Sequence, residues 1–225
     1  MKTAMDGLAE RLAAVRARME RAAEHSRRDP ARILLLAVTK IFPAAAIEEA
    51  YALGLREFGE NYVQEFEGKA PSVAGLAGAR FHLIGHLQSN KAARAAALFQ
   101  VVETVDSAKL ARRLNDAGRA LDVMLEVKLS PEESKHGVDP GGVPALIEAV
   151  RACPNLRLRG LMTMPPWSED PEAPRATFRT LRELAEAHDL AELSMGMSND
   201  LETAIEEGST CVRVGTALFG QRRKG

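Results

Sequence analysis

Lysine is scarce in this chain. Of 30 basic residues among 225, only 8 are lysines, at positions 2, 40, 69, 91, 109, 128, 135 and 224, and arginine carries the rest of the positive charge. Cysteine is scarcer: Cys153 and Cys211 lie far apart and form no CxxC pair, so both are expected to be reduced and structural. No apolar run approaches the roughly 18 residues of a membrane span. No sign of charge dominates either; a net charge of −1 gives no general pull toward nucleic acid or an anionic membrane. The start, "MKTAMDGLAERLAAVRARMERAAEHSRRDP", is arginine-rich and amphipathic like a transit peptide. It also carries Asp6, Glu10, Glu20 and Glu24, which transit peptides avoid, so residues about 1–29 read as a surface helix on a cytoplasmic protein.

What is present is the balance of a globular domain, 46% hydrophobic and 27% charged, at a length that suits one domain. Strand-like runs recur at 33–38 (ILLLAV), 56–59 (REFG), 81–84 (FHLI), 101–105 (VVETV), 121–127 (LDVMLEV), 156–162 (LRLRGLM), 191–195 (AELSM) and 210–214 (TCVRV). Between them lie segments of helical spacing: "PAAAIEEAYALG", "SNKAARAAALF", "SAKLARRLNDAG", "GGVPALIEAVRAC" and "DPEAPRATFRTLRELAEAHDL". Strands alternating with helices imply a parallel sheet, either closed as a (β/α)8 barrel or open and doubly wound. Eight units, and no GxGxxG after the first strand, favour closure. The expected fold is a single α/β domain over 1–225, a (β/α)8 TIM barrel at about 31–220 with an extra N-terminal helix.

In such a barrel the active site gathers at the carboxyl ends of the strands, and phosphate commonly binds after strands seven and eight. After strand seven comes "SMGMSNDLETAIEEG", where Asn199 with Glu202 has capping-box spacing and Ser198 is an alternative cap. Free N–H groups at a helix start suit an anion. After strand eight comes "RVGTALFG", where Gly215 lets backbone amides approach a phosphate and Thr216 adds a hydroxyl. Either segment alone reads more readily as merely a capped helix or a tight turn; both falling where the fold expects phosphate reverses that preference and favours a site. Lys40 ends strand one, which adjoins strand eight when the barrel closes. A rim lysine usually lies with its stem on apolar surface and its head in water. Among apolar neighbours it loses its proton more readily and serves as an amine nucleophile toward an aldehyde, which arginine cannot do. An aldehyde that carries a phosphate has pyridoxal phosphate as its familiar example. Arg213, on the same face of strand eight as Gly215, needs a partner if it points inward. A pyridine nitrogen would serve, and so would an acidic residue on a neighbouring strand such as Glu60.

With those residues in view, the sequence strongly resembles the pyridoxal phosphate homeostasis proteins, which share a barrel with the N-terminal domain of alanine racemases. The resemblance is carried by "LLAVTK", "FGENYVQE", "FHLIGHLQSNK", "GLMTMPP", "LSMGMSNDLETAIEEGSTCVRVGTALFG" and, more loosely, "EVKLSPEESKHGV", together spanning about residues 33–220. It implies that Lys40 is the Schiff-base lysine, that Arg213 contacts the pyridine nitrogen, and that Ser198, Gly215 and Thr216 are the phosphate contacts. Asn61, His82 and Asn90 occupy motif positions expected to line the pocket. His86, where proline is common, and the altered "VKLSPEESKHG" segment depart from the pattern without touching the proposed anchors.

The resemblance further implies a cytoplasmic carrier that manages the supply of pyridoxal phosphate, with apo PLP-dependent enzymes as recipients and little or no turnover. A racemase of the related type uses a second base, a tyrosine from an additional domain and a partner subunit. This chain ends about ten residues beyond strand eight, and of its two tyrosines Tyr51 is expected outside the barrel and Tyr62 near the rim. A small amino-acid racemase is the alternative function, and a barrel that binds a phosphorylated sugar or nucleotide without an imine is another. "HLIGH" spaces His82 and His86 four apart, but it straddles a strand end and lacks the helical face and acidic residue of a zinc motif. "QRRKG" reads as a solvated tail. "MTMPPWSEDPEAP" reads as a rim loop, with a lid as the other possibility, and Trp167 is expected to pack on that loop rather than cover the pocket. A monomer is expected.

Overall fold

The structure is a computed structural model that describes residues 4–130 and 136–220. Part of the "EVKLSPEESKHGV" segment, including Lys135, and the terminal "QRRKG" lie outside the described residues. Eight parallel strands close into a barrel in chain order: β1 (Leu34–Val38), β2 (Glu57–Glu60), β3 (Arg80–Leu83), β4 (Val101–Val105), β5 (Leu121–Glu126), β6 (Leu156–Met162), β7 (Glu192–Met197) and β8 (Cys211–Val214). Closure is made by β1 on β8, in the register Leu34↔Cys211 through Ala37↔Val214. The expected strands and the N-terminal helix, α1 (Ala4–His25), are all present.

The helices form where local chemistry starts and stops them. Pro43 precedes α2 (Ala44–Ala52), and Gly54, at φ 92°, turns the chain out of it. Ser107 caps α5 (Ala108–Asn115) by accepting from Leu110 N. The other helices are α3 (Val63–Val73), α4 (Ala92–Leu98), α6 (Val143–Arg151), α7 (Arg175–Glu186), α8 (Leu201–Glu206) and α9 (Thr216–Phe219). Helical spacing in the sequence does not mark α3. Gly68 and Pro71 interrupt its helical pattern, and its buried stripe of Val63, Phe66 and Val73 contains a lysine, Lys69.

The main core lies between barrel and helices. Inside the barrel a small apolar cluster of Leu36, Val38, Ile84 and Cys211 fills one side. The other side is polar. Arg213 Nη1 donates to Ser194 Oγ (2.6 Å), which donates to Glu103 Oε2 (2.5 Å); Glu103 Oε1 lies 2.6 Å from His82 Nδ1, and His82 Nε2 lies 2.7 Å from Glu57 Oε2. Ser194 on β7 and Glu103 on β4 are not on neighbouring strands, so this chain crosses the interior. Burial opposes a charge on His82, but hydrogen bonds to Glu103 and Glu57 outweigh it and raise its pKa to about 9.

The folded protein thus keeps a proton on His82 that the unfolded chain releases near 6.5. Its contribution to stability, on the order of 3 kcal/mol, is complete below about pH 6.5 and lost as pH rises through about 9. Urea midpoints taken across that window should fall toward the alkaline end, in step with loss of the His82 proton followed by NMR.

Candidate functional site

At the carboxyl end of the barrel a cavity of about 570 Å³ is lined by Lys40, Asn61, Ser198, Arg213, Gly215 and Thr216, with Val38, Ile84, Met164, Trp167 and Asp200 among its other walls. Six of the eight expected site residues therefore meet in one space. Two do not. His82 is buried a layer deeper and borders a separate cavity of about 260 Å³ at the amino end; along β3 it is Ile84, two residues on, that reaches the mouth. Asn90 is exposed in the turn Ser89–Lys91, beside Lys109 and Arg113 on the outer surface, because the chain has already passed the rim before α4 begins.

Lys40 lies two residues past β1, and its neighbours are held by groups that no motif in the sequence assigns. Thr39 is fully buried; its hydroxyl donates to Glu60 (2.7 Å) and its carbonyl accepts from Lys69 Nζ (2.9 Å). Lys69 also pairs with Glu60 (2.9 Å) and Glu65 (2.6 Å), and Glu65 accepts from the backbone N–H of Ile41. Ile41 has φ 64°, a left-handed conformation that a β-branched residue adopts only where its surroundings enforce it. Glu60 is thus spoken for by Lys69, not Arg213. Burial raises the Glu60 pKa despite the opposing pull of Lys69. The i, i+4 spacing of Glu65 and Lys69 was the available signal for this network.

The loops after β7 and β8 differ from the expected capping. Asp200, not Asn199 or Ser198, precedes α8, and its carboxylate turns back to accept from Met197 N (2.6 Å). Asn199 instead donates to the carbonyl of Ser168 (3.0 Å), tying this loop to the one that carries Trp167. Ser198 Oγ accepts from Ala217 N (3.2 Å) and so joins the two loops. Glu202 is held by Arg18 of α1 through two bonds of 2.5 and 2.6 Å, and Arg18 also donates to the Ser198 carbonyl (3.0 Å). The N-terminal helix thus buttresses the far wall of the cavity. Gly196, at φ 91°, admits no side chain, since a Cβ there would lie 2.4 Å from that of Ala204. Gly215 has φ −112° and room for ordinary contact with Val38, so its conformation alone does not demand glycine.

Trp167 is 72% exposed and lines the cavity, so it stands at the mouth rather than being buried against its loop. Tyr51 lies outside the barrel with its hydroxyl on the Ala77 carbonyl (2.9 Å), and Tyr62 is exposed and does not line the cavity. Asn61 Oδ1 is buried in the wall without a hydrogen-bond partner among the described residues. A buried acceptor left unpaired costs about 1–3 kcal/mol, which a donor on a bound molecule would offset.

Fold and site together define a (β/α)8 barrel whose mouth sets a primary amine from the loop after β1 against hydroxyl-lined loops after β7 and β8. Residues 11–223 match the alanine racemase N-terminal domain family, and the chain belongs to it, within the group of pyridoxal phosphate homeostasis proteins. It is 51% identical over 98% of both chains to the pyridoxal phosphate homeostasis protein of Pseudomonas aeruginosa. The structure of PipY from Synechococcus elongatus with PLP bound superposes with a TM-score of 0.84 at 40% identity, over 95% of this chain and all of that one. Alanine racemase from Corynebacterium glutamicum shares the fold, with a TM-score of 0.68 at 18% identity over 97% of this chain and 61% of that one.

Replacing Lys69 by methionine leaves Glu60 buried with only the Thr39 hydroxyl. Loss of one partner from such a pair costs about 3–5 kcal/mol. The loss should shrink on acidification, because the folded variant then binds a proton on Glu60 more tightly than the unfolded chain does. Denaturant midpoints at pH 5 and pH 8 check both statements.

Proposed function

We propose that this protein holds pyridoxal phosphate in the mouth cavity through Lys40 and serves intracellular vitamin B6 homeostasis as a carrier with little or no turnover. The observation that carries the reading is the meeting of the Lys40 amine, the Ser198 and Thr216 hydroxyls and the Arg213 guanidinium in a single cavity of about 570 Å³. The names of its relatives and the PLP bound to PipY support it. When bound, the cofactor supplies an aldehyde that condenses with a primary amine as water leaves, and a phosphate that needs hydrogen-bond donors.

Each residue present fits a part of that task. Lys40 offers the amine. Ser198 Oγ, already accepting from Ala217 N, has its own proton to donate, and Thr216 and the Gly215 amide complete the anion contacts. Asn61 Oδ1 accepts from a ligand N–H or O–H. Arg213 uses two of its five donors on Ser194 Oγ and the Thr163 carbonyl (2.8 Å) and retains others for a ring nitrogen. A guanidinium keeps that nitrogen unprotonated, and the ring is then a weak electron sink. That suits holding over catalysis.

The described residues lining the cavity include no tyrosine, histidine or cysteine, and Asp200, a carboxylic acid there, is engaged with Met197 N. A racemase needs a base on each face of its planar intermediate. The carrier in this reading is a cytoplasmic monomer, with apo PLP-dependent enzymes as recipients.

Purified protein with added pyridoxal phosphate should turn yellow and, after borohydride, carry the label on Lys40; Lys40→Ala should retain less than a tenth of it. A preparation that stays colourless overturns the reading. Isotope exchange at the α-carbon of an amino acid, abolished by Lys40→Ala, would make the protein a racemase instead. Arg213→Glu should shift the visible absorption band while the borohydride label on Lys40 persists.

A further inference from the structure

The polar chain inside the barrel begins at the floor of the mouth cavity, with Arg213, and ends at the amino-end cavity, with Glu57. Its polarity can be read from the donors. Arg213 has only N–H groups to offer, so Ser194 Oγ accepts from Nη1 and spends its own proton on Glu103 Oε2. Glu103 is fully buried, and its second oxygen faces His82. Both ring nitrogens of His82 face carboxylate oxygens, so the ring bonds to both only as imidazolium. The charges along the chain alternate: guanidinium, carboxylate, imidazolium, carboxylate.

Stability alone does not account for this arrangement. Replacing a buried ionic cluster by apolar groups of similar volume is often neutral or stabilising. The other side of the same interior is filled by Leu36, Val38, Ile84 and Cys211, so an apolar filling is compatible with this barrel. What the chain does provide is geometry. Arg213 is 3% exposed, and its guanidinium is pinned at Nη1 by Ser194 and at Nη2 by the Thr163 carbonyl; two fixed points set the plane of a rigid fork.

We infer that Glu103 and His82 are positioning residues that act through Ser194 to fix the Arg213 guanidinium at the floor of the cofactor cavity. The inference rests on the reading that the cavity takes pyridoxal phosphate with its ring nitrogen at Arg213. His82 is neither a ligand contact nor a proton donor to the cavity; it holds the charge of Glu103 in place from behind.

The test uses the full-length protein and the variants Glu103→Gln, His82→Gln and Ser194→Ala, compared with Arg213→Gln. In the loaded protein each of the first three should release pyridoxal phosphate at least tenfold faster and shift the visible band in the direction seen for Arg213→Gln, with the borohydride label still on Lys40. Combining Ser194→Ala with Arg213→Gln should add nothing further, because the two changes remove one interaction. Wild-type release and spectra in Ser194→Ala, or additive effects in the double variant, overturn the inference. Ser194→Ala removes one oxygen and keeps the test decisive if Glu103→Gln does not fold. Should the wild type take no pyridoxal phosphate, the functional reading fails by itself. The strut is then judged in cofactor-free protein, where exchange of the Arg213 guanidinium protons with water should be at least tenfold slower in wild type than in Ser194→Ala. Equal exchange rates would overturn it.

Discussion

Hydrogen bonding of the first strand to the last is what turns a list of separated residues into a site. In the register that pairs Ala37 with Val214, Val38 comes level with Gly215, and Lys40 leaves the barrel beside the residues that follow Gly215. The strands are parallel, so both chains emerge at the same end. An open doubly wound sheet built from the same units would not pair β1 with β8, and Lys40 would not face Gly215 and Thr216. Register matters as much as closure: a slip of one residue would turn Leu36, Val38 and Arg213 to the opposite face. The apolar cluster of Leu36, Val38, Ile84 and Cys211 opposes such a slip, because it would put those side chains outside and their neighbours inside.

Closure also creates an interior that must be filled, and this chain fills it unevenly. The apolar side behaves as an ordinary core. The charged side takes Glu103, His82 and Arg213 out of water, at a desolvation cost that only alternation of sign and near-complete hydrogen bonding can offset. The opposed shifts of the two partners agree with this: His82 is pushed up, and burial of Glu103 is outweighed by His82 so that its pKa falls. The two ends of the barrel are thereby linked through side chains rather than backbone.

Much of this was legible in the sequence because it depends on local period. The eight strands appeared as short runs between turn signals, and the residues at the carboxyl ends of β1, β7 and β8 could be placed by counting outward from them. Asn61 could be placed likewise, one residue past β2. What failed was whatever depends on depth within the barrel or on contacts across it. His82 and Ile84 lie on the same face of β3, and alternation cannot say which of the two reaches the mouth. Asn90 stands seven residues past β3, too far for a strand-end argument to hold. The interior chain joins β2, β3, β4, β7 and β8 through bonded residues up to 91 positions apart, and no motif announces it. Lys69 was overlooked because a lysine on the buried stripe of α3 contradicts the pattern that identifies a helix.

The flanks of Lys40 show how the local structure bears on a holding role. The Thr39 hydroxyl and carbonyl and the Ile41 N–H are fixed by Glu60, Lys69 and Glu65, groups that lie on β2 and α3 rather than on β1. A left-handed Ile41 costs about 1–2 kcal/mol, and it persists because three separate contacts determine the backbone there. With the main chain held on both sides, adjustment of the amine is left to the four-carbon stem of Lys40 itself. The opposite wall is fixed by a different set of contacts, Arg18 on Glu202 and on the Ser198 carbonyl, which come from the N-terminal helix. A cavity braced from two sides, with one amine and an exposed Trp167 at its lip, suits the proposed role of holding a small molecule in one position.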